Sequence, residues 1–249
     1  MPKLPSSLAA IIFSPVLCLW LTGCALIVPP PAVEDAQSYS TALAQESKPS
    51  QPTRPTVSGF TDYERAALRV RNVGCGGVST GSGFAISSHV FVTNRHVIGG
   101  AALLQVSTYD GHDIEVKTVG SVAVADLALV WTENALPASL SLARDDPAIG
   151  TKVTAVGFPL GGPLTTTEGK VLGYGPDPVG WSSLPMLVND APIEHGSSGS
   201  PLINDGGELV GVVYATDGNQ FAVPVSVLHQ VLNHPSAFTN SSACNGIPR

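Results

Sequence analysis

Short apolar runs recur along the chain at residues 83–86, 90–93, 103–106, 114–119, 127–130, 152–156, 170–174, 186–188, 209–214 and 220–223. Each is three to six residues long, which suits strands and is too short for helices of ordinary length. Turn signals separate them: Asp110-Gly111, Gly161-Gly162-Pro163, Gly175-Pro176-Asp177-Pro178 and Asn204-Asp205-Gly206-Gly207. This spacing predicts an all-β sandwich or barrel. Two helical segments interrupt the pattern. Thr61-Asp62 caps a short turn of helix at residues 63–67. Residues 224–233 carry Val227, Leu228, Val231 and Leu232 at helical spacing. From about residue 236 the chain is expected to be loose until Cys244 ties it down.

The first 58 residues follow different patterns. Lys3 precedes an apolar stretch at residues 8–21 that is too short for a membrane span and is interrupted by Pro15. It ends in Leu21-Thr22-Gly23-Cys24, which resembles a bacterial lipobox. Residues 1–23 are therefore expected to be a lipoprotein signal peptide, with Cys24 as the lipidation site. An uncleaved anchor or an ordinary signal with a chance cysteine are the alternatives. Residues 24–58 are rich in Pro, Ser, Ala, Gln and Thr, with no sustained apolar period, and read as a tether. Residues 59–249 are then the folded domain.

Composition narrows the class. Charged residues make up 12% and the net charge is −7. Coiled coils and charged disordered chains are excluded, and nothing draws the protein to nucleic acid. The scattered Arg65, Arg69 and Arg71 read as a solvated edge. Of four cysteines, Cys18 lies in the signal and Cys24 at its end. Cys75 and Cys244 remain, and an exported protein permits them to form a disulfide. That bond would close 169 residues and contribute roughly 5 kcal/mol through chain entropy. Two free thiols are the alternative. No Cys/His spacing suits zinc, and no metal or cofactor is expected.

Three segments carry candidate chemistry, in the order His, Asp, Ser: Thr93-Asn94-Arg95-His96-Val97, Ala125-Asp126-Leu127-Ala128-Leu129, and Glu194-His195-Gly196-Ser197-Ser198-Gly199-Ser200-Pro201. A serine hydroxyl needs a base to become a nucleophile. An imidazole can act as base near neutral pH, so His96 is the candidate to accept the Ser198 proton. Asp126 would fix the tautomer of His96 and stabilise its protonated form. The amides of Gly196 and Ser198 would face the developing oxyanion.

These segments resemble the trypsin-like (chymotrypsin-fold) serine proteases, nearer to bacterial HtrA-like and membrane-anchored members than to digestive trypsins. Gly81-Ser82-Gly83-Phe84-Ala85-Ile86 resembles the family's approach to its histidine, and residues 220–225 its strand-to-helix exit. The resemblance spans residues 68–232. It implies two antiparallel β-barrels with a C-terminal helix, the triad lying in the cleft between the barrels. It implies a serine endopeptidase that works on proteins or peptides through an acyl-enzyme. A monomer on a lipid anchor is expected, with no PDZ domain after residue 235.

Departures from the family pattern matter too. Arg95 stands where Ala is common and is expected to point away from the cleft. Ser200 replaces a usual Gly. Ser197 replaces a usual Asp or Asn, so a zymogen salt bridge to that position is not expected. Pro192, six residues before Ser198, stands where basic-specific members carry Asp, which argues against cleavage after Lys or Arg. Two other readings stay open. One is a protease-fold protein that only binds or scaffolds. The other is an α/β-hydrolase using Ser198, Asp217 and His229, which needs a Gly-x-Ser-x-Gly elbow and alternating helices.

Overall fold

The computed structural model describes residues 59–74, 76–216 and 220–240. Cys18, Cys24, Cys75, Cys244, Asp217, the signal and the tether lie outside the described residues. Fourteen strands in two antiparallel sheets make up nearly half of the described chain. The first sheet holds β1 (Ala67–Gly74), β2 (Gly77–Ala85), β3 (Val90–Asn94), β4 (Ala101–Thr108), β5 (Asp113–Ile114), β6 (Val116–Val122), β7 (Leu127–Thr132) and β14 (Thr239–Asn240), in the order β14-β6-β7-β3-β2-β1-β4-β5. It curls until β4 meets β6. The second sheet holds β8 (Lys152–Gly157), β9 (Thr165–Gly175), β10 (Met186–Asn189), β11 (Pro201–Ile203), β12 (Leu209–Thr216) and β13 (Gln220–Pro224). It closes into a barrel in the order β10-β13-β12-β11-β8-β9. The expected two-barrel all-β architecture is present, and the α/β-hydrolase alternative is excluded by it.

Each barrel has its own core, and a third apolar layer lies between them. Leu68, Val70, Phe91, Val106 and Val130 fill the first barrel. Val153, Val171, Leu187, Leu202 and Val213 fill the second. Phe84, Val92, Leu129 and Trp131 of the first barrel meet Met186, Leu209, Val212 and Val223 of the second. Strand β7 shows why its sequence lacks alternation. Leu127, Leu129 and Trp131 face the layer between the barrels, and Ala128 and Val130 face the first core. Both faces are buried, so both are apolar.

The helices follow local rules. Helix α1 (Asp62–Ala66) opens with a reciprocal cap: Glu64 N–H donates to Thr61 Oγ1, and Thr61 N–H donates to Glu64 Oε2 at 2.7 Å. A second helix, α2 (Arg95–Ile98), is a single turn after β3. The third, α3 (Val225–Leu232), buries Val227, Leu228 and Val231. Its N-cap is Pro224, which offers no side-chain acceptor. Asp146 supplies one instead, accepting from Ser226 N–H at 2.9 Å and Ser226 Oγ at 2.7 Å.

Three expectations change. The run at residues 114–119 is broken at Glu115, whose N–H donates to Asn134 Oδ1 rather than to a strand. The end of the described chain is not loose: Thr239 and Asn240 pair with Ser121 and Gly120 of β6, and Phe238 is buried. Gly120 explains this, because a Cβ there would lie 3.3 Å from the Trp131 ring and 3.4 Å from Phe238. The arginines do not form one solvated edge. Arg65 pairs with Asp62, Arg71 is exposed, and Arg69 is half-buried against the Phe158 ring.

Candidate active site

Strands β3 and β7 pair with Asn94 opposite Leu127. The residues just beyond them, His96 on α2 and Asp126 before β7, therefore meet at one end of the ladder. Asp126 sits in the left-handed region at φ 49°, which Asp tolerates better than most residues. This conformation lets one residue hold three groups. Asp126 Oδ1 accepts from His96 N–H at 3.0 Å, and its Oδ2 lies 2.6 Å from His96 Nδ1. Its carbonyl accepts from Arg95 N–H at 2.9 Å. The carboxylate is 4% exposed and the imidazole 32%. A carboxylate only accepts, so Nδ1 carries the proton and Nε2 keeps its lone pair. Arg95 is exposed.

Ser198 lies in a turn whose other members are occupied. Ser197 N–H donates to Glu194, Gly199 N–H to Val213 and Ser200 N–H to Ser197. Among the described residues the amides of Gly196 and Ser198 donate to no protein acceptor. Their freedom is held in place by neighbours. Leu160 N–H donates to the His195 carbonyl at 2.6 Å. The peptide plane is trans, so anchoring that carbonyl sends the Gly196 N–H the opposite way. Gly196 has φ 93°, and a Cβ there would lie 2.6 Å from Leu160 N. Gly199 has φ 86°, and a Cβ there would collide with the Ser82 carbonyl. Both turns require glycine for conformation and for space. Ser198 is half-buried between buried Ser197 and Gly199, so it is the side chain of the turn that reaches toward solvent.

Ser82 joins this turn to the first barrel, a role the sequence did not reveal. Its N–H donates to the Ser198 carbonyl at 2.8 Å, and its hydroxyl to the Gly196 carbonyl at 2.8 Å. The same hydroxyl accepts from Phe158 N–H at 2.9 Å. Thr93 Oγ1 donates to its carbonyl at 2.6 Å. Gly81 keeps the two halves close: a Cβ there would lie 2.5 Å from Val97, the neighbour of His96, and 3.2 Å from the Ser198 carbonyl. The departure at Ser200 also has a reason. Its hydroxyl fills the space that a side chain at Gly157 would need.

An aromatic group flanks His96. Its ring lies 5.9 Å from Trp181 and 6.4 Å from Tyr214, and these two rings are 6.1 Å apart. Asp177 holds this loop together. Its carboxylate accepts from Val179 N–H at 2.9 Å, Ser182 N–H at 2.7 Å and the Tyr214 hydroxyl at 3.2 Å. Burial opposes its charge, but these donors outweigh burial and hold the carboxyl below its ordinary range. Burial and the Asp177 charge push the Tyr214 phenol upward. The available signal was Trp181 itself, a large aromatic in a Pro/Gly-rich turn. Pro192 and His195 are exposed at the rim.

Fold and site geometry together point to the two-barrel class of peptidase domains. The trypsin-like peptidase domain matches residues 81–212, and the chain belongs to that family. It is 35% identical over 165 residues to a probable periplasmic DegP-like serine endoprotease of Hahella chejuensis, covering 62% of this chain and 35% of that protein. A DegP-like protein of Pseudomonas fulva is 34% identical over 215 residues, covering 83% of this chain and 43% of that protein. The chain thus spans well under half the length of these relatives. Among solved structures, the active form of the Rv3671c protease from M. tuberculosis is 25% identical with a TM-score of 0.64, covering 80% of this chain and 96% of that one. The serine endoprotease from Yersinia pestis is 28% identical with a TM-score of 0.60, covering 71% and 67%.

Proposed function

We propose that this protein is a serine endopeptidase that uses His96, Asp126 and Ser198 on exported protein or peptide substrates. The observation that carries this reading is Asp126, buried and bonded through both carboxylate oxygens to His96. Ser198 Oγ attacks the scissile carbonyl carbon while its proton passes to His96 Nε2. The carbonyl π electrons move to oxygen, and the Gly196 and Ser198 amides hold the resulting charge. When the tetrahedral centre collapses, the C–N bond breaks and His96 gives its proton to the leaving amine. Water then attacks the acyl-enzyme with His96 as base and releases the acid. The unspent amides support the oxyanion role, and the names of the periplasmic relatives support a place outside the cytoplasm. Lipidation at Cys24, a Cys75–Cys244 disulfide and a monomeric state belong to the same proposal.

A fluorophosphonate probe tests it. Wild type is expected to label covalently, Ser198→Ala not at all, and His96→Ala at a rate lower by at least about a thousandfold. Failure of the wild type to label, under conditions that label a trypsin control, would leave only a protease-fold binding protein.

A further inference from the structure

A groove of about 840 Å³ crosses the outer face of the first barrel and ends at the Leu160–Gly161 turn. Three of the eight most exposed large apolar side chains among the described residues line it: Val78, Leu103 and Leu160. Arg69 and Arg71 stand beside them on one face of β1. Neither arginine has a carboxylate partner among the described residues, and the groove's own acid, Asp113, pairs with neither. Arg71 only reaches Gln105 Oε1, at 3.0 Å. On a protein of net charge −7, two guanidinium groups that have only neutral partners, beside exposed apolar side chains, form a local site for a carboxylate.

The ladder register orders these groups. Val73 pairs with Val78 on one side and Leu103 on the other, giving an apolar row. Arg71 lies in the next row on the same face, between Thr80 and Gln105, and Arg69 in the row beyond. Such rows are about 7 Å apart, two residues of an extended chain. An extended peptide along β1 would therefore set an apolar side chain against Val78 and Leu103. Its carboxylates, two and four positions nearer the Leu160–Gly161 end, would meet Arg71 and Arg69.

The groove ends beside the turn that leads into the candidate active site. Its end residue Leu160 anchors the His195 carbonyl, and Arg69 Nη1 reaches the Gly161 carbonyl at 3.5 Å. Ser198 lies between β2, through Ser82, and β12, through the Gly199–Val213 hydrogen bond. With the acyl half of a substrate along β12, the leaving half crosses β2 into this groove. We infer that the groove is an exosite for the leaving half of the substrate: an extended segment with two acidic residues at a two-residue step, followed two positions later by an apolar one. This rests on the endopeptidase reading for its occupant.

The test uses full-length Ser198→Ala protein and a fluorescein-labelled peptide, Ser-Glu-Ser-Glu-Ser-Leu-Ser, followed by anisotropy. Arg71→Glu is expected to weaken binding about tenfold, the loss of one charge-assisted contact. Replacing both Glu of the peptide by Gln has a similar effect, and Leu103→Ser weakens binding by a few fold. Arg144→Glu makes the same charge change at an exposed position elsewhere and leaves binding unaltered. Equal binding by the parent and Arg71→Glu, or equal weakening by Arg144→Glu, overturns the exosite. So does no binding by the parent. The same acidic segment, attached C-terminal to the scissile bond of a casein-derived peptide that wild type cuts, is expected to raise kcat/KM about tenfold. No gain there overturns the assignment to substrate. Loss of fluorophosphonate labelling in wild type with peptide binding intact sinks the endopeptidase reading and leaves the groove standing.

Discussion

Ser82 is fully buried and uses its N–H, its carbonyl and its hydroxyl on the turn that carries Ser198 and on the strands behind it. Ser82→Ala keeps the backbone bonds but strands two buried groups, the Phe158 N–H and the Gly196 carbonyl. Each unsatisfied group costs about 1–3 kcal/mol, so the variant is expected to lose roughly 2–4 kcal/mol in urea unfolding. The Gly196 peptide also loses a tether, so kcat should fall more than KM rises. Retention of full stability and full kcat would show that water replaces the hydroxyl. At this scale the sequence was readable in part. His96, Asp126 and Ser198 stood out as candidates because acid–base chemistry permits few side chains. The left-handed Asp126 was not, since its conformation is held by contacts with Asn94, Arg95 and His96, about thirty positions away in sequence. Nor was Ser82, whose hydroxyl partner Gly196 is 114 positions away in sequence.

At the level of elements, strands and turns were legible where one face is polar or a Gly/Pro pair marks the end. Strand β14 was missed because it is two residues long and depends on the space over Gly120. The loop between β9 and β10 was legible as a turn, but its internal anchor was not. Asp177 organises that loop only while ionised. Its carboxyl is held below the ordinary value of 3.8, so its contribution is present above pH 3.8 and is lost as pH falls through the lower folded value. The emission of Trp181, isolated by subtraction of Trp181→Phe protein, should hold steady from neutral pH down to about pH 4 and change below it. Asp177→Asn should show the altered emission already at neutral pH. Its kcat/KM should be lower by roughly fivefold, about 1 kcal/mol of lost positioning beside His96. Identical emission in the two proteins across the range would remove Asp177 from its role as anchor.

At the scale of the whole molecule, two barrels meet across a shared apolar layer, and the proposed lipid anchor and disulfide belong to the two ends of the chain. The first barrel incorporates the last described strand: β14 closes onto β6 through a two-residue ladder. So short a ladder frays easily on its own. Cys244 lies four residues beyond Asn240, a reach of at most about 14 Å, and Cys75 directly follows Gly74 at the end of β1. A bond between them would tie the β14 end of the sheet to the β1–β2 hairpin and would oppose fraying of that ladder. At the other end, a diacylated Cys24 would hold the domain at a membrane on a spacer of 34 residues, 25–58. One experiment reads both ends. Unreduced, membrane-extracted protein digested for mass spectrometry is expected to give an N-terminal peptide that begins at acylated Cys24. It should also give a peptide pair joined through Cys75 and Cys244. Recovery of an unmodified peptide spanning residues 18–30 excludes the lipid anchor. Alkylation of both Cys75 and Cys244 without prior reduction excludes the disulfide, and the two outcomes are independent. If the bond is present, Cys244→Ala should lower the unfolding midpoint and speed hydrogen exchange at Thr239 and Asn240 first, because those amides have the shortest ladder to lose.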